Sequence, residues 1–217
     1  RASILADPAF TRRNTRDNTP SVLSVEMVPG GKVSVDVAAK GGGSENKSKF
    51  KMMNPSDNIV DWVIEQIPSM GAGWCPPGML GIGIGGTAEH CMKLAKLSLM
   101  DPIDMGQLKE RGAQTDIEQL RIDIFDAVNA MGVGAQGLGG LSTVLDVKIL
   151  DAPCHAAGKP VAMIPNCAAT RHAHFTLDGS GPAYLEPPKL DDYPQVTWKP
   201  DAAAKRVNLN GLTPEEV

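Results

Sequence analysis

Cys75, Cys91, Cys154 and Cys167, with the histidines at 155, 172 and 174, are the residues best suited to ligate a metal or move a proton. Cys75 sits in Trp74-Cys75-Pro76-Pro77-Gly78, and Cys167 in Pro165-Asn166-Cys167-Ala168-Ala169-Thr170-Arg171. Loops of this kind hold metal-binding thiolates at fixed angles, although a loop cysteine is more often structural than a ligand. Cys91 falls within a helical stretch, where a buried and inert thiol is the ordinary explanation. Cys75, Cys154, His155 and Cys167 could also assemble a tetrahedral zinc site. Spacing argues against that, because zinc sites usually show a short C-x₂₋₄-C knuckle and the closest cysteine pair here is 13 residues apart. A lone histidine is more often a surface or satisfied core residue than a ligand.

Two glycine patterns add backbone chemistry. Lys40-Gly41-Gly42-Gly43-Ser44-Glu45-Asn46-Lys47 is a run in which main-chain amides can approach a ligand closely. Gly81, Gly83 and Gly86 match G-x-G-x-x-G ahead of a helix, a dinucleotide fingerprint. That reading is set aside: Pro76-Pro77-Gly78 interrupts the preceding strand, and no acidic residue stands at the end of a second strand about 20 residues on.

The elements that must position these residues mix strands with helices. Residues 22–28 and 32–38 are rich in β-formers around Pro29-Gly30-Gly31 and read as a hairpin. Residues 57–68 place Ile59, Val60, Val63, Ile64 and Ile67 at helical spacing behind a cap at Ser56 or Asp57. An apolar run from Met79 to Ile84 leads through Gly85-Gly86-Thr87 into a helix over 88–99. A further helix covers 115–131, carrying Ile117, Leu120, Ile124, Val128 and Met131 on one face and Gly132 at its stop. Strands are expected at 143–150 and 160–164. The fold class is therefore α/β or α+β, a mixed β-sheet flanked by helices.

Composition removes several functions. The 217 residues are 42% hydrophobic, enough for a real core. A net charge of -4 and 4% aromatics leave no basic face or stacking platform, so nucleic acid is excluded as a partner. No stretch nears the roughly 20 apolar residues of a membrane span, and residues 1–20 lack a signal-peptide core. The cysteine spacings are not those of a disulfide framework, which points to a reducing, cytoplasmic compartment. Gly 23 and Pro 17 imply much ordered loop.

Five segments in order, Lys40 to Lys47, Trp74-Cys75-Pro76-Pro77, Ile84-Gly85-Gly86-Thr87, Gly132 to Gly140 and Asn166-Cys167-Ala168-Ala169-Thr170-Arg171, resemble the class I, iron–sulfur-dependent fumarate hydratases. Asn14-Thr15-Arg16-Asp17-Asn18-Thr19-Pro20 resembles that family's N-T-x-x-N-T-P stretch. The resemblance runs from Arg1 to about Trp198. It implies an N-terminal, cluster-binding catalytic domain over 1–198, truncated at its start, with the cluster-binding loops at one edge of the sheet. Residues 199–217 would be an interdomain linker, since Thr213 and Pro214 announce a helix, leading to a C-terminal catalytic domain.

The function so implied is reversible hydration of fumarate to L-malate with a 4Fe-4S cluster whose open iron acts as a Lewis acid. Cys75 and Cys167 match two of the three cluster cysteines, and the third lies in a segment upstream of the position matching Arg1. Cys154 has no counterpart. Arg1 aligns with an arginine that grips a substrate carboxylate, and Gly42 and Gly43 with a loop offering amides to substrate. His155 matches an active-site histidine with a proton-handling role, and Arg171 stands where an arginine lies near the cluster, or else simply fixes its loop. The implied partners are a small dicarboxylate, a second copy in a homodimer and the C-terminal domain, which carries the catalytic base. The L-tartrate dehydratase α subunit shares the same motifs. A non-catalytic glycine-rich binding module and a zinc-stabilised module are the remaining alternatives.

Overall fold

The computed structural model describes residues 2–102 and 104–181, and a single unit runs to Gly179. Arg1 and the expected linker over 199–217 lie outside the described residues.

A four-stranded mixed sheet contains β2 (Lys49–Met53), β3 (Gly78–Gly85), β4 (Val144–Ala152) and β5 (Lys159–Asn166), in the spatial order β2-β5-β3-β4. β3 and β4 are parallel, while β5 runs antiparallel to both β3 and β2. The mixed sheet flanked by helices is the architecture that the sequence implies.

Helix α2 (Ile59–Met70) starts at Asn58, whose Oδ1 accepts from the N–H groups of Val60 and Asp61 at 2.8 and 3.3 Å. The true cap is thus one residue after the expected Asp57. Helix α5 (Asp116–Ala130) is capped by Thr115, and Gly132 follows it at φ +68°. α2 and α5 bury Val63, Ile67, Ile124 and Val128 against Leu80 and Ile82 of β3. Helix α3 (Ala88–Ser98) covers the opposite face, packing Cys91 and Ala95 against Ala162 and Ile164 of β5. The short α4 (Met105–Arg111) lies between α3 and α5 in the chain. Among the described residues no helix is long and apolar enough to cross a membrane.

The expected hairpin does not form. β1 (Val33–Ala38) pairs with β6 (His172–Leu177), and residues 22–28 take no strand partner. The long-range pairing wins because it matches faces: Val33, Val35 and Val37 stand opposite Leu177, Phe175 and Ala173, while Asp36 meets His174 on the other face.

The G-x-G-x-x-G glycines have a packing role. A β-carbon on Gly83 would stand 2.0 Å from the Cys91 carbonyl oxygen, and one on Gly81 2.3 Å from that of Ala95. The backbone of α3 therefore lies directly on β3, and Gly81 and Gly83 serve helix–strand packing. Gly83→Ala is expected to cost about 2–3 kcal/mol by overpacking. The loss would appear as a lower urea midpoint with unchanged m, whereas Gly31→Ala, in open space, should leave the midpoint in place.

Candidate active site

Because β5 is antiparallel to β3, its C-terminal residue Asn166 pairs with Met79 near the start of β3. That register carries the loop after β5, with Cys167, to the end of the sheet where the Cys75 turn enters β3. The main chains of the two loops are joined by Ala168 N–H donating to the Cys75 carbonyl at 3.4 Å.

The Cys75 turn is tightly held. Trp74 is fully buried, and the Pro76 carbonyl accepts from both the backbone N–H and the side-chain Nε2 of Gln136, at 2.8 and 3.2 Å. Gln136 belongs to the Gly132–Gly140 loop, which the sequence marks as glycine-rich. Cys75 itself sits at φ +57°, a left-handed conformation that costs an L-residue roughly 1–2 kcal/mol. Such a conformation persists where the surroundings over-determine it, and it clusters at functional sites.

The Cys167 loop is organised by Asn166, 2% exposed, whose Nδ2 donates to the Cys167 carbonyl and to Thr170 Oγ1 at 3.3 and 3.0 Å. Arg171 clasps the segment after β1: its Nε donates to the Ala39 carbonyl at 3.1 Å, and Ala39 N–H donates back to the Arg171 carbonyl at 3.0 Å. The contact of the Arg171 side chain is with a main-chain carbonyl, not with the carboxylate of a loop-fixing ion pair.

The third loop is the glycine run, which folds into a single helical turn, α1 (Gly42–Glu45). A β-carbon on Gly41 would stand 4.0 Å from Cys167 Sγ, so this turn lies against the Cys167 thiol. Gly43 packs on the segment before Cys75, where a β-carbon would meet the Gly73 carbonyl oxygen at 2.7 Å. Lys40, on the near side of the turn, reaches Ser44 Oγ at 2.9 Å and Glu45 Oε2 at 3.0 Å. Cys75, Cys167, Gly42, Gly43 and Arg171 are thus gathered at one end of the sheet.

His155 is at the other end. The Pro153–Gly158 connection crosses the C-terminal end of β3, where Gly86 N–H donates to the Pro153 carbonyl at 3.2 Å. His155 and Cys154 line an open cavity of about 400 Å³ there, with Gly86, Thr87, His90 and Pro153. His155 Nδ1 accepts from Ala157 N–H at 3.1 Å. The length of β3, roughly 20–25 Å, lies between His155 and Cys75. The four donors of the zinc alternative are therefore divided between opposite ends of the sheet. Among the described residues no three His, Cys, Asp or Glu side chains are grouped to hold a metal ion.

Sequence reasoning missed Lys40, Gln136 and Asn166 as site-building residues. Lys40 and Asn166 each stand at the first position of a flagged segment without being singled out, and an acidic residue five positions after Lys40 was the available signal for its ion pair. Gln136 reaches Pro76 through a tertiary contact that no local pattern announces.

Residues 1–176 match the family model described as fumarate hydratase (Fumerase). The chain is 39% identical over 172 residues to a Methanocaldococcus jannaschii protein assigned as L(+)-tartrate dehydratase subunit alpha, covering 76% of this chain and 59% of that one. It is 30% identical over 181 residues to the L(+)-tartrate dehydratase subunit alpha of Escherichia coli strain UTI89, covering 79% and 58%. It is 32% identical over 186 residues to fumarate hydratase 2 of Leishmania major, covering 82% and 32%. The chain therefore spans less than two thirds of the length of each of these relatives.

The four thiols fall into two classes. Cys75 and Cys154 are exposed and Cys167 half-buried, whereas Cys91 is wholly buried, donates to the Gly83 carbonyl at 3.1 Å, and is pushed up to about 11 by burial. Brief iodoacetamide treatment of the metal-free native protein at pH 8 should alkylate Cys75, Cys154 and Cys167 and spare Cys91. Peptide mass spectrometry reads the pattern, and labelling of all four should appear only in denaturant.

Proposed function

Since the chain belongs to the fumarate hydratase family, we propose that it forms the cluster-binding part of a hydro-lyase that reversibly hydrates fumarate to L-malate. The observation that carries this reading is the meeting of the Cys75 and Cys167 loops, joined main chain to main chain and flanked by the Gly41–Gly43 turn.

Thiolates are the donors that iron–sulfur clusters use, and Cys75 and Cys167 are free thiols on adjacent loops. The buried indole N–H of Trp74, next in the chain to Cys75, has no acceptor among the described residues. The donor set fits a 4Fe-4S cluster in part: these two cysteines would hold it together with a third from a segment outside this chain. When bound, the cluster supplies a Lewis-acidic iron for the departing hydroxyl of malate.

The chain's own residues bind and orient. Gly42 and Gly43, exposed at the head of a helical turn, offer backbone N–H groups to one substrate carboxylate. Arg1, by resemblance, grips the other carboxylate through its planar fork. Arg171 and Asn166 hold the Cys167 loop in place, so that the reacting groups meet in fixed geometry. Within one chain His155 lies at the end of the sheet away from Cys75 and Cys167, so its proton-handling role is assigned to a site completed by groups outside the described residues. The catalytic base is assigned to the C-terminal domain implied by the resemblance.

A second reading, L(+)-tartrate dehydration, is favoured by the names of the relatives that are 39% and 30% identical to this chain. Both substrates are four-carbon hydroxydicarboxylates that lose water next to a carboxylate, so the same site chemistry serves either. The test is turnover of fumarate, L-malate and L(+)-tartrate by the holoenzyme before and after anaerobic reconstitution with iron and sulfide, beside Cys167→Ser. Activity is expected only after reconstitution, and Cys167→Ser should lower it at least about 100-fold. Turnover of tartrate alone would select the second reading. Turnover that needs neither iron nor sulfide would overturn both.

A further inference from the structure

Lys40 is a deeply set cation at the cysteine end. Its side chain is 12% exposed, and its ammonium contacts Ser44 Oγ, itself a 2% exposed residue, and the Glu45 carboxylate. Ser44 Oγ in turn donates to the Gly41 carbonyl at 3.0 Å, and Glu45 takes a second ion pair from Lys96 of α3. The chain of contacts Lys96–Glu45–Lys40–Ser44–Gly41 ends at the glycine whose open face lies against Cys167 Sγ. Burial pushes the Lys40 ammonium below its ordinary value, with Glu45 and, at longer range, Cys167 acting in the opposite sense. The turn that Lys40 braces is the element that lies against Cys167 Sγ. Burial also opposes the charge on Glu45, yet the hydrogen bonds from Lys96 and Lys40 hold its carboxyl below the ordinary value.

Two lysines share one carboxylate here, so the group carries a net positive charge beside a thiol that would serve as a cluster ligand. A cluster held by thiolates is anionic, and its potential responds to the net charge around it. We propose that Lys40 is a positioning residue of the cluster site: its buried ammonium holds the Gly41–Ser44 turn against Cys167 and fixes one positive charge beside that ligand. This rests on the cluster reading given above and adds a residue to it. The same charge helps to draw a dicarboxylate to the glycine turn.

The experiment is a redox titration of the reconstituted holoenzyme, followed by electron paramagnetic resonance, for wild type, Lys40→Met, Lys40→Arg and Glu45→Gln, with KM and kcat measured alongside. Lys40→Met removes the cation and should move the cluster potential to a more negative value while raising KM more than it lowers kcat. Lys40→Arg should restore the wild-type potential. Glu45→Gln keeps Lys40 and removes the compensating carboxylate, so the potential should move in the opposite direction, to a more positive value. A merely structural role predicts no such reversal of sign. Should Lys40→Met fail to fold, the positive shift in Glu45→Gln still decides. Potentials of Lys40→Met and Glu45→Gln that stay at the wild-type value, or move the same way, overturn the role of Lys40 alone. A wild-type protein that takes up no iron and sulfide overturns the cluster reading and this inference together.

Discussion

The missing side chains of Gly81 and Gly83 set the depth at which α3 rests on the sheet, and most of the remaining architecture follows. With carbonyls of α3 within 2.0–2.3 Å of where β-carbons would stand, helix and strand are in backbone contact. β3 is then enclosed on all sides: α3 on one face, Leu80 and Ile82 under α2 and α5 on the other, β4 and β5 along its edges. A strand so enclosed defines two fixed ends, and the direction of β5 decides what each end carries. Had β5 run parallel to β3, its C-terminal loop would lie beside Gly85. Running antiparallel, it returns Cys167 to Cys75, although the two are 92 positions apart in the chain.

The first half of β4 is held by side chains from α5 that bond its backbone. Asn129 Oδ1 accepts from the N–H groups of Thr143 and Val144, its Nδ2 donates to the Val144 carbonyl, and Arg121 Nε donates to the Val147 carbonyl at 2.7 Å. Arg121 also pairs with Asp146 at 3.4 Å, and Asp146 with Lys148 at 3.2 Å, all three residues being 5% exposed or less. A buried ionic group of this kind is weak evidence for net stability, because desolvation offsets much of the Coulombic gain. Its geometry shows another use. Asp146 accepts from Met105 N–H and Lys148 donates to the Asp101 carbonyl, so the triad fastens the segment between α3 and α4 to the edge strand.

Elements whose burial follows a local period were legible in the sequence. α2 and α5 carry apolar residues at helical spacing behind polar caps, and β3, β4 and β5 are short apolar runs between glycine and proline signals. The hairpin over 22–38 was misread because its turn chemistry is local, while the competing partner β6 lies far along the chain. Of the site, Cys75, Cys167 and the glycine run were found through their resemblance to a family. Sequence spacing alone left thiol ligand and structural thiol undecided. The distance between His155 and Cys75 was illegible, because it depends on the direction in which β5 crosses β3. The buried triad escaped for the same reason: Arg121 reads as one more polar position on an amphipathic helix until β4 is known to lie beneath it.

The way the Cys75 and Cys167 loops are held differs from the way a metal knuckle is held. In a short C-x₂₋₄-C knuckle the metal itself orders the loop, and metal binding is folding. Here the Cys75 and Cys167 loops are ordered by contacts within the protein: Gln136 on the Pro76 carbonyl, Asn166 on Thr170, Arg171 on Ala39, and Ala168 on Cys75. Each net hydrogen bond is worth about 1 kcal/mol, so the set outweighs the roughly 1–2 kcal/mol cost of the left-handed backbone at Cys75. The geometry of these two loops is therefore a property of the polypeptide, set by contacts between segments far apart in the chain.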